Sequence, residues 1–271
     1  MAKNKLKTAP IDLEKALALV GKKCIIGIDE AGKGSLAGNF FVGFSAIPFY
    51  HYNEIEDTLE VLAGVKDSKQ FSSHGKREDM FIRAKQHAVC GAITISAGDI
   101  DKYGIGMCNR WAVVMAIDAA INRLEVLHKD NPFGFIKPTI DNVAVLCDGG
   151  IWVGKHIEPY QFVDSHDKGD SKSISIALAS IAAKVARDKH IEKLDELYPQ
   201  YNFMKTRGYW SSQENADMIT NNPQGMNYHW RRSFNPLKTA VGWHKPLTYG
   251  TQPPIEFHSN LLKALEIPDL T

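Results

Sequence analysis

Two periods of hydrophobic and polar positions alternate along this chain. KCIIGIDE (23–30) is a short apolar run closed by two acids and followed by the glycine-rich AGKGSLAG, a pattern that predicts a buried strand and a turn. FFVGFSAI (40–47) predicts a second strand of hairpin type, and AVCGAITISA (88–97) a third. HGKREDMFIRAKQHA (74–88) has the charge pairs and spacing of a helix, and GMCNRWAVVMAIDAAINRLEVLHK (106–129) predicts a longer one, with apolar positions three and four apart. NVAVLCDGG (142–150) reads as an apolar strand ending in an acid and two glycines, and YQFVD (160–164) as a further strand-like piece. From Ser171 to Leu197 the chain predicts a long helix, stopped near Pro199, whose Ala177, Ala179, Ala182 and Ala183 imply close approach to a neighbour.

Strands first and then alternating helices and strands predict an α/β domain with a mixed central sheet flanked by helices. The expected organisation is an N-terminal segment over 1–22, a main domain over 23–200, and a C-terminal helical extension and tail over 201–271, richer in Trp, Asn, Pro and Gly. With 271 residues and 44% apolar side chains the chain can bury a sizeable core. Lys plus Arg (32) nearly balance Asp plus Glu (31), so a net charge of +1 offers no global field for a polyanion, and any nucleic-acid binding must come from local patches. Cys24, Cys90, Cys108 and Cys147 form no C-x-x-C pair and sit mostly among apolar neighbours, as reduced thiols of a cytoplasmic protein do. No run reaches membrane-spanning length and the N-terminus lacks the layout of a signal peptide, so no membrane partner is expected.

The chemistry concentrates at GIDEAGKGS (27–35). Gly27, Gly32 and Lys33 meet the first places of the phosphate-binding loop G-x-x-x-x-G-K-[ST], but Gly34 stands where the magnesium-holding hydroxyl belongs. Asp29 and Glu30 would also face the triphosphate and repel it. The opposing reading makes those acids oxygen ligands for Mg²⁺ or Mn²⁺. Successive strand residues point to opposite faces, so this reading expects the strand to break near Glu30. Asp148 closes the strand VAVLCD, and Asp170 precedes the Ala-rich helix. Singly, either serves equally well as a turn former or a helix cap.

In order along the chain, GIDEAGKG, KDSKQFS (66–72), CDGG (147–150), KGDSKSISIALASIAAKVARD (168–188), YPQYNF (198–203), RGY (207–209) and HWRRSFNPLK (229–238) resemble the signature of type 2 ribonuclease H, ribonuclease HII. The resemblance runs from about residue 23 to about residue 240. It implies an RNase H-like fold with a C-terminal helical extension, and a monomeric endonuclease that cuts RNA in RNA/DNA hybrids and cuts 5′ of ribonucleotides embedded in duplex DNA. It also implies that Asp29, Glu30, Asp148 and Asp170 bind two Mg²⁺ or Mn²⁺ ions. Gly32, Lys33 and Gly34 fall on the family turn that reads the 2′-hydroxyl, Tyr209 on the tyrosine that stacks on the sugar, and Ser68 and Lys69 on a phosphate-contacting segment. Arg231 and Arg232 lie in a stretch free of acids between Asp217 and Glu256, interleaved with Tyr228, Trp230, Phe234 and Trp243, and are expected to meet phosphate.

Hydrolysis of a phosphodiester needs an activated water, a stabilised leaving oxygen and a neutralised transition state, and oxygen-only ligation favours Mg²⁺ or Mn²⁺ over Zn²⁺. Three departures stand out: Lys33 replaces the usual Arg of the turn, WSSQE follows Tyr209 with Glu214 near the usual His position, and 151–168 is long for the family, as a surface loop would be. Residues 239–271 extend past the signature without an assigned role. The alternatives are a catalytically silent hybrid-binding protein of the same fold and a P-loop nucleotide hydrolase. A type 3 enzyme, with its sizeable N-terminal binding domain, is not expected from the 22 residues that stand before Lys23.

Overall fold

The computed structural model describes residues 8–48, 62–130, 137–149, 163–209, 229–235, 237–240 and 242. They fall into two compact units, one made of Met1–Ala31, Val42–Ala92 and Val113–Val185, the other of Gly32–Phe41, Ile93–Ala112 and Ala186–Thr271. In chain order the elements are α1 (Asp12–Leu19), β1 (Cys24–Ala31), β2 (Phe40–Pro48), α2 (His74–Ala84), β3 (Val89–Ile95), α3 (Ala97–Tyr103), α4 (Ile105–Asp130), β4 (Val143–Asp148), β5 (Val163–His166), α5 (Ile174–Leu197), α6 (Phe203–Thr206) and α7 (Leu237–Ala240). Short 3-10 turns cover Ser68–Gln70, Gly169–Ser171 and Pro199–Tyr201. The mixed sheet has the order β3-β2-β1-β4-β5, with β1 parallel to β4 and β4 parallel to β5. This is the expected α/β architecture.

The first unit is built on the contact between β1, β2 and α5. A Cβ on Gly27 would lie 2.2 Å from the Ser175 carbonyl, and one on Gly43 would lie 2.1 Å from the Ala179 carbonyl. The helix backbone therefore rests directly on two strand glycines, which is the close approach that the Ala-rich face of α5 predicts. Around this contact Ile25, Ile47, Ala144, Leu146, Ile174, Leu178 and Ile181 form a fully enclosed core, extended by Ala9, Ile11 and Leu17 at the N-terminus. Along β1, Ile25 and Gly27 face α5, and the two-residue pleat puts Asp29 on the same side. Along β4 the same rule puts Asp148 on the side of Ala144 and Leu146.

The second unit has its own cluster of Leu36, Ala37, Ile191, Leu194, Tyr201, Phe203, Trp230 and Leu237. Trp230 packs edge-on against Tyr201, with ring centroids 5.0 Å apart, and its backbone bridges to Ala37. These aromatics of the C-terminal stretch thus build a small core, and the cluster buries their rings rather than offering them to a ligand.

Several local expectations change. β1 does not break at Glu30 but continues through Ala31, so the pleat keeps Asp29 and Glu30 on opposite faces. The long helix begins at Ile174 instead of Ser171, because Lys168 takes a left-handed backbone (φ 54°) into the 3-10 turn and Ser173 caps the helix by accepting the Ile176 N–H. α2 stops at Ala84. β5 covers Val163–His166, and Tyr160, Gln161 and Phe162 of the expected strand lie outside the described residues. Two helices escaped the sequence reading: α1, which no side chain caps at Ile11, and α3, whose Ser96 accepts the Asp99 N–H and which ends at Gly104 with φ 83°. All four cysteines are free thiols, three of them buried, and burial pushes each up to about 12, so they are inert at neutral pH. No single helix of the described residues is long and apolar enough to cross a membrane. WSSQE (210–214), Tyr228, Trp243 and most of the 151–168 loop and of the 239–271 tail lie outside the described residues.

Candidate active site

Parallel pairing of β1 with β4 decides where the acids stand. Ile28 pairs with Cys147, so one step further along the same register Asp29 is level with Asp148. Both are on the α5 side of the sheet, at the C-terminal ends of adjacent parallel strands, where open α/β sheets place their ligands. Neighbouring strands lie about 4.8 Å apart, which brings the two carboxylates side by side.

Asp170 reaches the same place from the 3-10 turn before α5. The turn is tied to β4 by the Gly169 N–H, which donates to Asp148 Oδ1 at 2.6 Å. A Cβ at Gly169 would meet Ile176 Cδ1 at 2.6 Å and Asp148 at 3.4 Å, so a larger residue there would have to displace the end of the Ile176 side chain. Lys69 Nζ lies 3.8 Å from Asp170 Oδ2. Its side chain is 81% exposed, so this ion pair contributes little stability and leaves the ammonium available to an incoming anion.

The electrostatics are those of crowded acids, with Lys69 placed against Asp170. Asp29 is only 7% exposed, and its pKa rises to about 7. Burial is the main cause, with Asp148 and Glu30 adding like-charge repulsion, while hydrogen bonds from Ser180 and the Glu30 N–H (2.7 Å to Oδ1) pull the other way. Asp170 is also raised, by burial first, then by Asp67, with Lys69 opposing. Among the described residues no three His, Cys, Asp or Glu side chains converge into a ready-made metal cage. Hard oxygen donors, with one of them held well above the normal carboxylate range, fit a divalent cation of the Mg²⁺ or Mn²⁺ type.

Ser68 is placed differently from the phosphate contact expected of it. It is 3% exposed, and its hydroxyl lies 2.9 Å from that of Ser180, while its carbonyl accepts from Arg77 Nε at 3.1 Å. When Asp29 is ionised it can only accept, so Ser180 then donates to Asp29 and accepts from Ser68. The DSK segment therefore supports Asp29 through Ser68, and offers a positive charge to solvent through Lys69. The role of Ser180 was hidden in LASIAAK, where a serine among alanines has no distinguishing sequence signal.

In the second unit Gly32, Lys33 and Gly34 form a turn beside Tyr209. Gly32 has φ 82°, and a Cβ there would lie 2.9 Å from Arg187 Nε. A Cβ on exposed Gly34 would lie 3.9 Å from Tyr209 Cε1. Tyr209 is 43% exposed, with the Arg187 guanidinium 5.1 Å from its ring centre. Arg187 itself donates to the Arg207 carbonyl at 2.6 Å, just before Gly208 (φ 70°), whose carbonyl accepts the Leu36 N–H at 2.6 Å. Arg187 was overlooked within the KVARD motif, since sequence alone does not show which ring it stacks on.

Arg231 departs from expectation. It is fully buried, donating from Nε to the Gly38 carbonyl (3.0 Å) and from Nη1 to the Lys33 carbonyl (2.9 Å). Burial and the nearby Arg187 lower its pKa to about 9, so it stays charged at neutral pH. Its charge orders the turn and is not presented to phosphate. Arg232 is half-buried, and its backbone N–H donates to Asp101 at 2.9 Å.

Residues 26–236 match the family model for ribonuclease HII. The chain belongs to the ribonuclease HII family. Ribonuclease HII of Geobacillus thermodenitrificans is 33% identical over 84% of this chain and 75% of its own length, and that of Magnetococcus marinus is 34% identical over 85% and 95%. The solved structure of ribonuclease H2 from Pyrococcus horikoshii OT3 superposes with a TM-score of 0.61 at 23% identity, covering 81% of this chain and 97% of that one, which shows the fold. Membership makes the chain an endoribonuclease of RNA/DNA hybrids. For a ribonuclease HII the position of Gly27 inside β1 also disposes of the phosphate-loop alternative: the first glycine of that pattern is strand, pressed on α5, and cannot cradle a phosphate.

Proposed function

We propose that this ribonuclease HII uses Asp29, Glu30, Asp148 and Asp170 to hold two Mg²⁺ or Mn²⁺ ions, and that it also cuts on the 5′ side of single ribonucleotides embedded in duplex DNA. The observation that carries the reading is the level placement of Asp29 and Asp148 on one face of parallel strands, with Asp170 tied to Asp148 through Gly169. Ions bound there would supply Lewis-acid chemistry, making water nucleophilic and neutralising charge on the reacting phosphate. Glu30, on the other face of β1, would have to ligate from the strand end, where Ala31 passes into the glycine turn.

The remaining residues orient the substrate. Lys69, exposed beside Asp170, attracts the scissile strand. The Gly32–Lys33–Gly34 backbone, held from behind by Arg231, offers peptide groups to the 2′-hydroxyl, the one feature that separates ribose from deoxyribose. Tyr209, braced by Arg187, presents a ring for stacking on the sugar. Lys33 in place of arginine keeps a charge but loses the planar fork, so it serves as a point charge near phosphate.

The test compares wild type and Asp170→Asn on a continuous RNA/DNA hybrid, with Mg²⁺ and with chelator. Cleavage only by the wild type and only with the metal supports the proposal. Full activity of Asp170→Asn, or cleavage in chelator, refutes it. A folded wild type that binds hybrid but does not cut it with either metal would favour the catalytically silent reading.

A further inference from the structure

Glu14 is a fully buried carboxylate in a helix that the activity does not call on. It lies in α1, has no exposed surface, and sends Oε1 to the N-terminus of α5, accepting the Ser173 hydroxyl in a short hydrogen bond and the Ser175 N–H at 3.0 Å. Its Oε2 has no hydrogen-bond partner among the described residues. Burial raises its pKa, so the group is kept in the fold at a cost. A helix start normally satisfies its own N–H groups with a cap, and here Ser173 does so only for Ile176 (3.2 Å), leaving Ser175 to Glu14.

The cap leads directly to the acids. The Ser173 and Lys172 N–H groups both donate to the Gly169 carbonyl at 2.9 Å, and the Gly169 N–H donates to Asp148 Oδ1 at 2.6 Å. Asp170 sits between these bonds. Gly169 is pressed between Ile176 of α5 and Asp148, so slack in the first turn of α5 is transmitted to both acids. We propose that Glu14 is a positioning residue for the acidic centre: by capping α5 from α1 it fixes the Gly169–Ser171 turn and with it the spacing of Asp170 from Asp148. This inference rests on the reading of those two acids as metal ligands.

The experiment measures Mn²⁺ binding to metal-free full-length protein by calorimetry, well below the melting temperature of the least stable variant and with folding checked by circular dichroism. Glu14→Ala is expected to weaken Mn²⁺ binding by about tenfold or more, as loss of a group that orients a ligand does. Glu14→Gln, whose amide oxygen still accepts both hydrogen bonds, is expected to stay within about twofold of wild type. In hybrid cleavage Glu14→Ala should need more metal for half-maximal rate while keeping its KM for hybrid, a split that a general loss of stability does not produce. Wild-type Mn²⁺ affinity in folded Glu14→Ala, or equal loss in Glu14→Gln, overturns the proposal. Should Glu14→Ala not fold, Ser173→Ala carries the test, with weakened Mn²⁺ binding expected and wild-type binding overturning it. Asp170→Asn is the control: wild-type Mn²⁺ affinity there removes the metal-site reading itself, whereas loss there with none in Glu14→Ala removes only the positioning role.

Discussion

Replacing Asp29 by asparagine should stabilise the metal-free protein while destroying its activity. In the folded chain Asp29 titrates near 7 because it is buried next to Asp148 and Glu30, against an ordinary value of 3.8. The folded state therefore holds a proton that the unfolded chain releases earlier, so the contribution of this group to stability is greatest at low pH, declines as pH rises past 4, and levels off above about 7. Between pH 5 and pH 8 that single group costs roughly 2–3 kcal/mol. This is a ceiling, because relaxation and water entry reduce it. For a chain of this size it corresponds to a fall in Tm of roughly 5–10 °C. Asparagine keeps the acceptor for the Glu30 N–H and the shape of the site but carries no charge. Thermal melts in chelator at pH 5 and pH 8 measure the effect as a difference between the two proteins. Wild type should lose more stability than Asp29→Asn across that interval, and Mg²⁺ should raise the Tm of wild type alone. An Asp29→Asn protein that melts lower than wild type at pH 8 without metal, or one whose Tm falls equally with pH, would refute the reasoning.

Three further outcomes are expected. Gly43→Ala places a Cβ 2.1 Å from the Ala179 carbonyl, a backbone atom that cannot step aside, so it should cost at least about 2–3 kcal/mol in denaturant unfolding. Arg231→Met strips the buried Gly38 carbonyl and the part-buried Lys33 carbonyl of their donor and should cost roughly 2–4 kcal/mol, while the salt dependence of hybrid binding stays as in wild type. If Arg231 met phosphate instead, the slope of log affinity against log salt would fall by about one. Tyr209→Ala removes the exposed ring beside Gly34 and should reduce cleavage at a single embedded ribonucleotide more than cleavage of continuous hybrid, in parallel kcat/KM measurements.

The sheet and the long helices were legible because their signals are periodic and local. CIIGI and VAVLC are uninterrupted apolar runs, and the alanines of α5 announce a close contact that Gly27 and Gly43 complete from the strands. The acids were legible as strand-end and turn residues, and their chemistry narrowed once several were read together. What sequence could not supply was register. That Asp29 stands level with Asp148 depends on pairing across more than a hundred residues, and the pleat then separates Glu30 from Asp29, against the expectation of a broken strand. Ser68 and Arg231 misled for a related reason. Both carry groups that bind phosphate well, but burial turned one hydroxyl to Ser180 and one guanidinium to two backbone carbonyls. Glu14 gave no sign, since a glutamate in a short charged helix reads as solvent-facing until its partners 159 and 161 residues away are known.

A duplex DNA carrying one ribonucleotide, cut by wild type with Mg²⁺ and compared with the all-DNA duplex and with Asp29→Asn, puts the acidic centre and the ribose-reading turn to the test together. The predicted result is a single cut on the 5′ side of the ribonucleotide, absent from all-DNA, absent in chelator and absent in the mutant. Cleavage indifferent to the 2′-hydroxyl, or persisting in Asp29→Asn, would contradict it.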